Sequence, residues 1–130
     1  MFCTKSQIVG LRYFNVFGPR QDPNGAYAAV IPKFLSLMKN NKRPTINGSG
    51  NYSRDFTYID NVVQANVLSL FTSNDDAINQ IYNVAFGGRT TLNELWSTIR
   101  DLTQCSVDAT YRPNRVGDIP HSLANIDKAK

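Results

Sequence analysis

Histidine and cysteine are scarce: the chain has one His and two Cys. With His121 as the only histidine, a histidine-based zinc cluster is excluded. Joining His121 to Cys3 and Cys105 would need three residues from remote parts of the sequence, so no metal site is expected. Two cysteines outside any motif, with no secretory leader visible, read as reduced thiols in a cytoplasmic protein. No apolar run approaches the length of a membrane span, and no membrane partner is expected. Serine and cysteine are missing from any nucleophile elbow. No tyrosine stands four residues before a lysine. No glycine-rich phosphate fingerprint follows a strand, since Gly48-Ser49-Gly50 is only a turn. Charge is thin as well. A net +4 comes from 14 basic against 10 acidic residues, and the basic ones are scattered, with only Lys42 and Arg43 adjacent. Without a continuous basic footprint, no nucleic-acid partner is expected.

What is present suits one globular α/β unit: 42% hydrophobic and 11% aromatic residues. The stretch Gly10–Arg20, GLRYFNVFGPR, organises the rest. Val9–Phe17 reads as a parallel strand buried on both faces, and Gly18, Pro19 and Arg20 end it abruptly. Ligands of open α/β sheets bind where strands end. Asn15 sits at such an end, where it either contacts a ligand or ties down the turn. FCTKSQ before it reads as the last turn of a helix.

Ala26–Asn40 carries apolar residues at helical spacing, with Pro32 in the first turn and Tyr27–Val30 as a preceding loop. Pro44–Asn47 and Arg54–Ile59 read as short strands, hairpin-like or neighbouring, around the Gly48–Gly50 turn. Asp60 is the expected N-cap of a helix whose stripe runs through Val62, Val63, Ala65, Val67, Leu68, Leu70 and Phe71. Ile81–Phe86 is a further strand, closed by Gly87-Gly88. Thr91 and Glu94 form a capping box ahead of a helix with Leu92, Leu95, Trp96, Ile99 and Leu102 on one face, which makes Trp96 a core residue. Val107–Tyr111 and Ser122–Ile126 read as late strands flanking the loop Arg112–Asp118, and Asp127–Lys130 as the start of a helix. Arg54, Arg89 and Arg115 each stand at an element boundary. They are either forked donors for phosphate or carboxylate, or surface and salt-bridge residues. Asp118 could take a sugar hydroxyl.

Four ordered segments carry a resemblance: LRYFNVFGPRQDPNGAYAAVIPKF, INGSGNYSRDFTYIDNV, IYNVAFGGRTTLNEL and YRPNRVGDIPHS. The chain resembles the C-terminal, substrate-binding part of the extended short-chain dehydrogenase/reductases in their NAD-dependent epimerase/dehydratase branch, most nearly the bacterial UDP-N-acetylglucosamine 4-epimerases. The fold this implies is α/β: the C-terminal portion of such an enzyme. Residues 1–130 would be a single partial unit, with 9–17 and 81–86 as late strands of the NAD-binding sheet. Residues 26–71 and 107–126 would form most of the small substrate lobe.

The resemblance implies NAD-dependent 4-epimerisation of a UDP-sugar by transient oxidation at C4. The sugar would be UDP-N-acetylglucosamine or its uronic acid, with tolerance for UDP-glucose. Asn15 would contact the sugar-diphosphate, and Phe14, Val16 and Phe17 would lie beside the nicotinamide end of NAD. Ala29 and Val30 would meet the diphosphate, with Lys33 and Phe34 at the lobe entrance. Thr45, Ile46 and Asn47 would lie against uracil. Arg54, Arg89 and Arg115 would bind the diphosphate and Asp118 a ribose hydroxyl. Ser122, where galactose-only relatives carry a bulky aromatic, would leave room for an N-acetyl group. The Tyr-Lys pair, the catalytic Ser or Thr and the NAD fingerprint would precede Met1. The two sheet strands would then lack neighbours, and the chain alone is expected to be inactive. Alternatives are a non-catalytic UDP-sugar-binding fragment or subunit, or part of a nucleotide-sugar dehydratase or decarboxylase. The partner would be a missing N-terminal half or a second copy, drawn by open strand edges.

Overall fold

The computed structural model describes residues 6–25 and 29–130. The expected helical turn in FCTKSQ lies mostly outside them, as does half of the Tyr27–Val30 loop. The expected strand Val9–Phe17 is two strands, β1 (Val9–Tyr13) and β2 (Val16–Phe17). Asn15 separates them at φ +35°, a left-handed conformation that asparagine tolerates better than most side chains. Burial on both faces is also corrected: Val9–Leu11 are half-buried, while Arg12 and Tyr13 are exposed. The first strand does not lack a neighbour. It runs parallel to β6 (Gln80–Val84), from Val9 opposite Gln80 to Tyr13 opposite Val84. The Phe14 amide extends the ladder by donating to the Val84 carbonyl at 3.1 Å.

The short strands do not form a hairpin. β3 (Thr45–Asn47) pairs in parallel with β8 (Thr110–Arg112). The expected strand Arg54–Ile59 is split into β4 (Ser53–Arg54), antiparallel to β7 (Thr90–Thr91), and β5 (Thr57–Tyr58), parallel to β2. Ser122–Ile126 forms no strand; a single bridge joins Ser53 to His121. Asp127–Ala129 is one 3-10 turn.

Three helices complete the unit: α1 (Val30–Lys39), α2 (Ile59–Phe71) and α3 (Leu92–Thr103). Pro32 lies in the first turn of α1, where its missing N–H costs nothing. The core lies between α1, α3 and β3 and joins Ile31, Phe34, Met38, Ile46, Leu95, Trp96 and Ile99. Phe34 and Trp96 meet edge to face, with centroids 5.9 Å apart. The description of the fold as a C-terminal portion with unpartnered sheet strands is therefore corrected. The described residues form an α/β unit with its own parallel pairings, three helices and a buried core.

α2 departs from its pattern in two ways. Its N-cap is Tyr58, and Asp60 stands in the first turn, where its charge faces the positive end of the helix. Only Val62 of the expected stripe is buried; Leu68 and Phe71 are 64% and 77% exposed. None of the helices described is long and apolar enough to cross a membrane.

The α3 capping box forms as its spacing predicts. Glu94 N donates to Thr91 Oγ1 at 3.1 Å, and Thr91 N donates to Glu94 Oε2 at 2.8 Å. These bonds from the Thr91 backbone and hydroxyl hold the Glu94 carboxyl below its ordinary value. A depressed carboxyl stabilises the fold above its unfolded value, and the contribution is lost as pH falls through the folded one. Wild type should therefore melt slightly above Glu94→Gln at neutral pH. Thermal scans should show the gap closing as pH falls through and below the ordinary carboxylate range.

Candidate functional site

A cleft of about 350 Å³ opens where the broken first strand meets the start of α1. Its walls follow from local geometry. From Ser53 to Thr57 the backbone is near-extended and side chains alternate: Ser53, Asp55 and Thr57 are buried, while Arg54 and Phe56 face the cleft. Inward-facing Asp55 is fully buried. Its Oδ1 accepts from the amides of Phe86 and Gly87, and its Oδ2 from those of Gly87 and Ala124, all at 3.2 Å. One carboxylate thus ties the cleft wall to the end of β6 and to the C-terminal segment.

The neighbouring backbone fixes Asn15. Its Nδ2 donates to the Asp55 carbonyl at 2.9 Å, and the Thr57 amide donates to the Asn15 carbonyl at 3.3 Å. Asn15 ties down the turn and also lines the cleft, so the two readings of this residue are compatible. Arg54 spends one nitrogen on backbone: Nη1 donates to the carbonyls of Ser53 at 2.8 Å and Pro120 at 3.4 Å. A guanidinium has five N–H donors in a rigid fork, so the rest stay available to an anion. Among the described residues the ion pairs join Arg100 to Asp101 and Asp108, and Lys130 to Asp127; none involves Arg54, Arg89 or Arg115.

The cleft gathers most of the residues singled out from the sequence. Asn15, Ala29, Val30, Lys33 and Phe34 line one side; Thr45, Asn47, Arg54, Arg115 and Asp118 complete it. Val16 and Phe17, assigned to NAD, line the same cleft, whereas Phe14 does not. Three other assignments also fall off it. Ile46 is 1% exposed and belongs to the core beneath, so β3 turns Thr45 and Asn47 to the cleft and Ile46 inward. Arg89 is exposed beyond the lining, and Ser122 pairs its backbone with Ser53 outside it.

Sequence reasoning missed Ile31, Tyr52, Phe56 and Leu92, which supply apolar wall. The alternation through Ser53–Thr57 was the available signal for Phe56. A second cavity, of about 280 Å³, lies against β1 and β6 and is walled by Val9, Leu11, Leu68 and Tyr82; it holds none of the predicted residues.

The whole describes an α/β unit with a half-apolar cleft rimmed by arginine forks, suited to a ligand with an anionic centre and a flat or apolar end. The profile described as NAD dependent epimerase/dehydratase family matches residues 3–85, and the chain belongs to that family. The match corrects the description of the chain as merely a C-terminal, substrate-binding part. It runs from ahead of β1 through β6, and so takes in the parallel β1–β6 ribbon, α1 and α2 as well as much of the cleft.

Solved structures agree. The chain is 48% identical to the UDP-N-acetylglucosamine 4-epimerase of Methanobrevibacter ruminantium M1 in complex with UDP-N-acetylmuramic acid. That match has a TM-score of 0.86 and covers 93% of this chain and 38% of that one. It is 36% identical to the UDP-glucose 4-epimerase of Thermotoga maritima with UDP-glucose, with a TM-score of 0.87, covering 95% of this chain and 38% of that one. For the UDP-glucuronic acid 4-epimerase of Bacillus cereus in complex with UDP-glucuronic acid and NAD, identity is 30% and the TM-score 0.81, over 93% and 37% of the two chains. The chain likewise spans 37% of a curated Methanocaldococcus jannaschii relative, at 38% identity over 120 residues. The expectation of an inactive chain is corrected with its premise. Of its grounds, the absent Tyr-Lys pair and NAD fingerprint and the strands without neighbours, the last fails, since β1 and β6 pair along their whole length, and the structures matched are named as epimerases.

Proposed function

We propose that the cleft binds a UDP-sugar for NAD-dependent 4-epimerisation in the cytoplasm. The observation that carries this reading is the meeting of Arg54 and Arg115 with Asp118, Thr45 and Asn47 in one cleft, beside Asn15. Two forked cations suit a diphosphate, whose oxygens accept paired N–H bonds. Asp118 can accept from a ribose hydroxyl, while Thr45 and Asn47 flank an entrance for uracil. Val16 and Phe17 form an apolar wall that fits the face of a nicotinamide ring. NAD, when bound, takes up and returns the hydride, and these side chains orient the sugar and exclude water around it. Likeness to the Methanobrevibacter enzyme favours UDP-N-acetylglucosamine over UDP-glucose.

Calorimetric titration with UDP-N-acetylglucosamine, with UDP alone as control, tests the reading. Saturable binding is expected with both. Losing Arg115 removes charge-assisted hydrogen bonds of about 1.5–3 kcal/mol, so Arg115→Ala should bind roughly ten- to a hundredfold more weakly. No heat of binding to folded wild-type protein would overturn the reading.

A further inference from the structure

The segment carrying Arg115 and Asp118 leaves β8, which pairs with β3 up to Asn47 opposite Arg112, and returns to the Ser53–Thr57 wall at one bridge. The Asp118 amide donates to the Arg115 carbonyl at 3.2 Å, closing the turn that bears both side chains. Beyond that turn, the Ser53 amide donates to the Pro120 carbonyl at 2.9 Å, and the Ser122 amide donates to the Ser53 carbonyl at 3.1 Å. These two bonds form an isolated bridge, Ser53 to His121, rather than a ladder. The Arg54 Nη1 bond to the Pro120 carbonyl and the Ala124 amide bond to Asp55 Oδ2 flank it. One side-chain bond spans the bridge itself: Ser53 Oγ and His121 Nδ1 are 2.9 Å apart. Ser53 is 3% exposed, and among the described residues its hydroxyl has no other partner. The buried Ser53 hydroxyl finds an acceptor for its proton when Nδ1 takes that role.

We propose that His121 is a positioning residue for the cleft. By accepting from Ser53 through Nδ1, it helps set where Arg115 and Asp118 stand relative to Arg54, the residue next to Ser53. The proposal rests on the reading of the cleft as a UDP-sugar site, because a diphosphate gripped from two strands makes their register a determinant of affinity. It requires an acceptor at the Nδ1 position and no imidazole chemistry.

Two substitutions separate position from bulk. His121→Asn puts Oδ1 near the place of Nδ1; His121→Gln carries its acceptor out toward the place of Nε2. His121→Gln should weaken UDP binding about five- to tenfold, the size of one ordinary hydrogen bond. His121→Asn should stay within about twofold of wild type. Ser53→Ala should resemble His121→Gln, and the double variant should be no weaker than either single one, as expected of two ends of one bond.

Amide hydrogen exchange on ligand-free protein reads the same bond without UDP. The Ser122 amide should exchange faster in His121→Gln and at the wild-type rate in His121→Asn. Wild-type affinity in His121→Gln, or equal weakness in both variants, overturns the proposal, as does unchanged Ser122 exchange in His121→Gln. If wild type fails to bind UDP while the exchange results hold, the cleft reading fails and the Ser53–His121 latch stands.

Discussion

Asp55→Ala should destabilise the fold by about 3–5 kcal/mol, since it strips the acceptor from three buried or part-buried amides and each orphaned donor costs roughly 1–3 kcal/mol. The amides are those of Phe86, Gly87 and Ala124. They lie on two segments remote from Asp55, so the loss is not confined to one turn. Domains of this size have margins of about 5–15 kcal/mol, and the variant would use up much of such a margin. Urea denaturation followed by circular dichroism checks this, the fall in midpoint being read at unchanged slope. Asp55→Asn keeps one acceptor oxygen but turns an NH2 toward the donors, and should fall between alanine and wild type. A midpoint for Asp55→Ala within error of wild type would sink the assignment of Asp55 as a structural clasp.

Trp96→Ala should cost a similar amount, about 3–5 kcal/mol, for a different reason. Trp96 is 5% exposed, packs edge to face on Phe34, and sits in one cluster with Ile31, Leu95 and Ile99. Truncation removes a large apolar surface and leaves a void that the two helices fill only in part. Because Trp96 is the only tryptophan, circular dichroism rather than fluorescence must follow the transition. Trp96→Phe retains a ring and should lose less. The same variant should weaken UDP binding, because Phe34 both touches Trp96 and lines the cleft. Full stability in Trp96→Ala would contradict the placement of the core.

Local features were legible in the residues. The Thr91–Glu94 box is written in four consecutive positions, and Trp96 takes its place from the period of the helix that follows. The arginine forks, Asp118 and Asn15 could be named from sequence because each stands at an element boundary. Features that depend on remote partners were not legible. Asp55 beside Arg54 is one of two charges at the start of a short strand, and nothing nearby marks the amides from three later positions that converge on it. The short strands look like a hairpin because they are adjacent, whereas β3 finds its partner in β8. Asn15 interrupts an apolar run that otherwise reads as one strand, since only the backbone angle reveals the break. α2 has the apolar spacing of a buried helix, yet among the described residues Leu68 and Phe71 of that stripe stay largely exposed.

The Asp55 clasp also has a kinetic consequence. Asp55 is 40 residues from Asn15 and 69 from Ala124, so the contacts that finish the cleft close long loops of chain. Each doubling of loop length adds only about 0.6 kcal/mol to the closure cost, but that cost falls before the contacts return anything. α1, α2 and α3 can form from local contacts early. The parallel pairings β1–β6, β2–β5 and β3–β8 must await distant segments, which slows folding relative to a helical bundle of equal length. The cleft is therefore among the last features of the molecule to assemble.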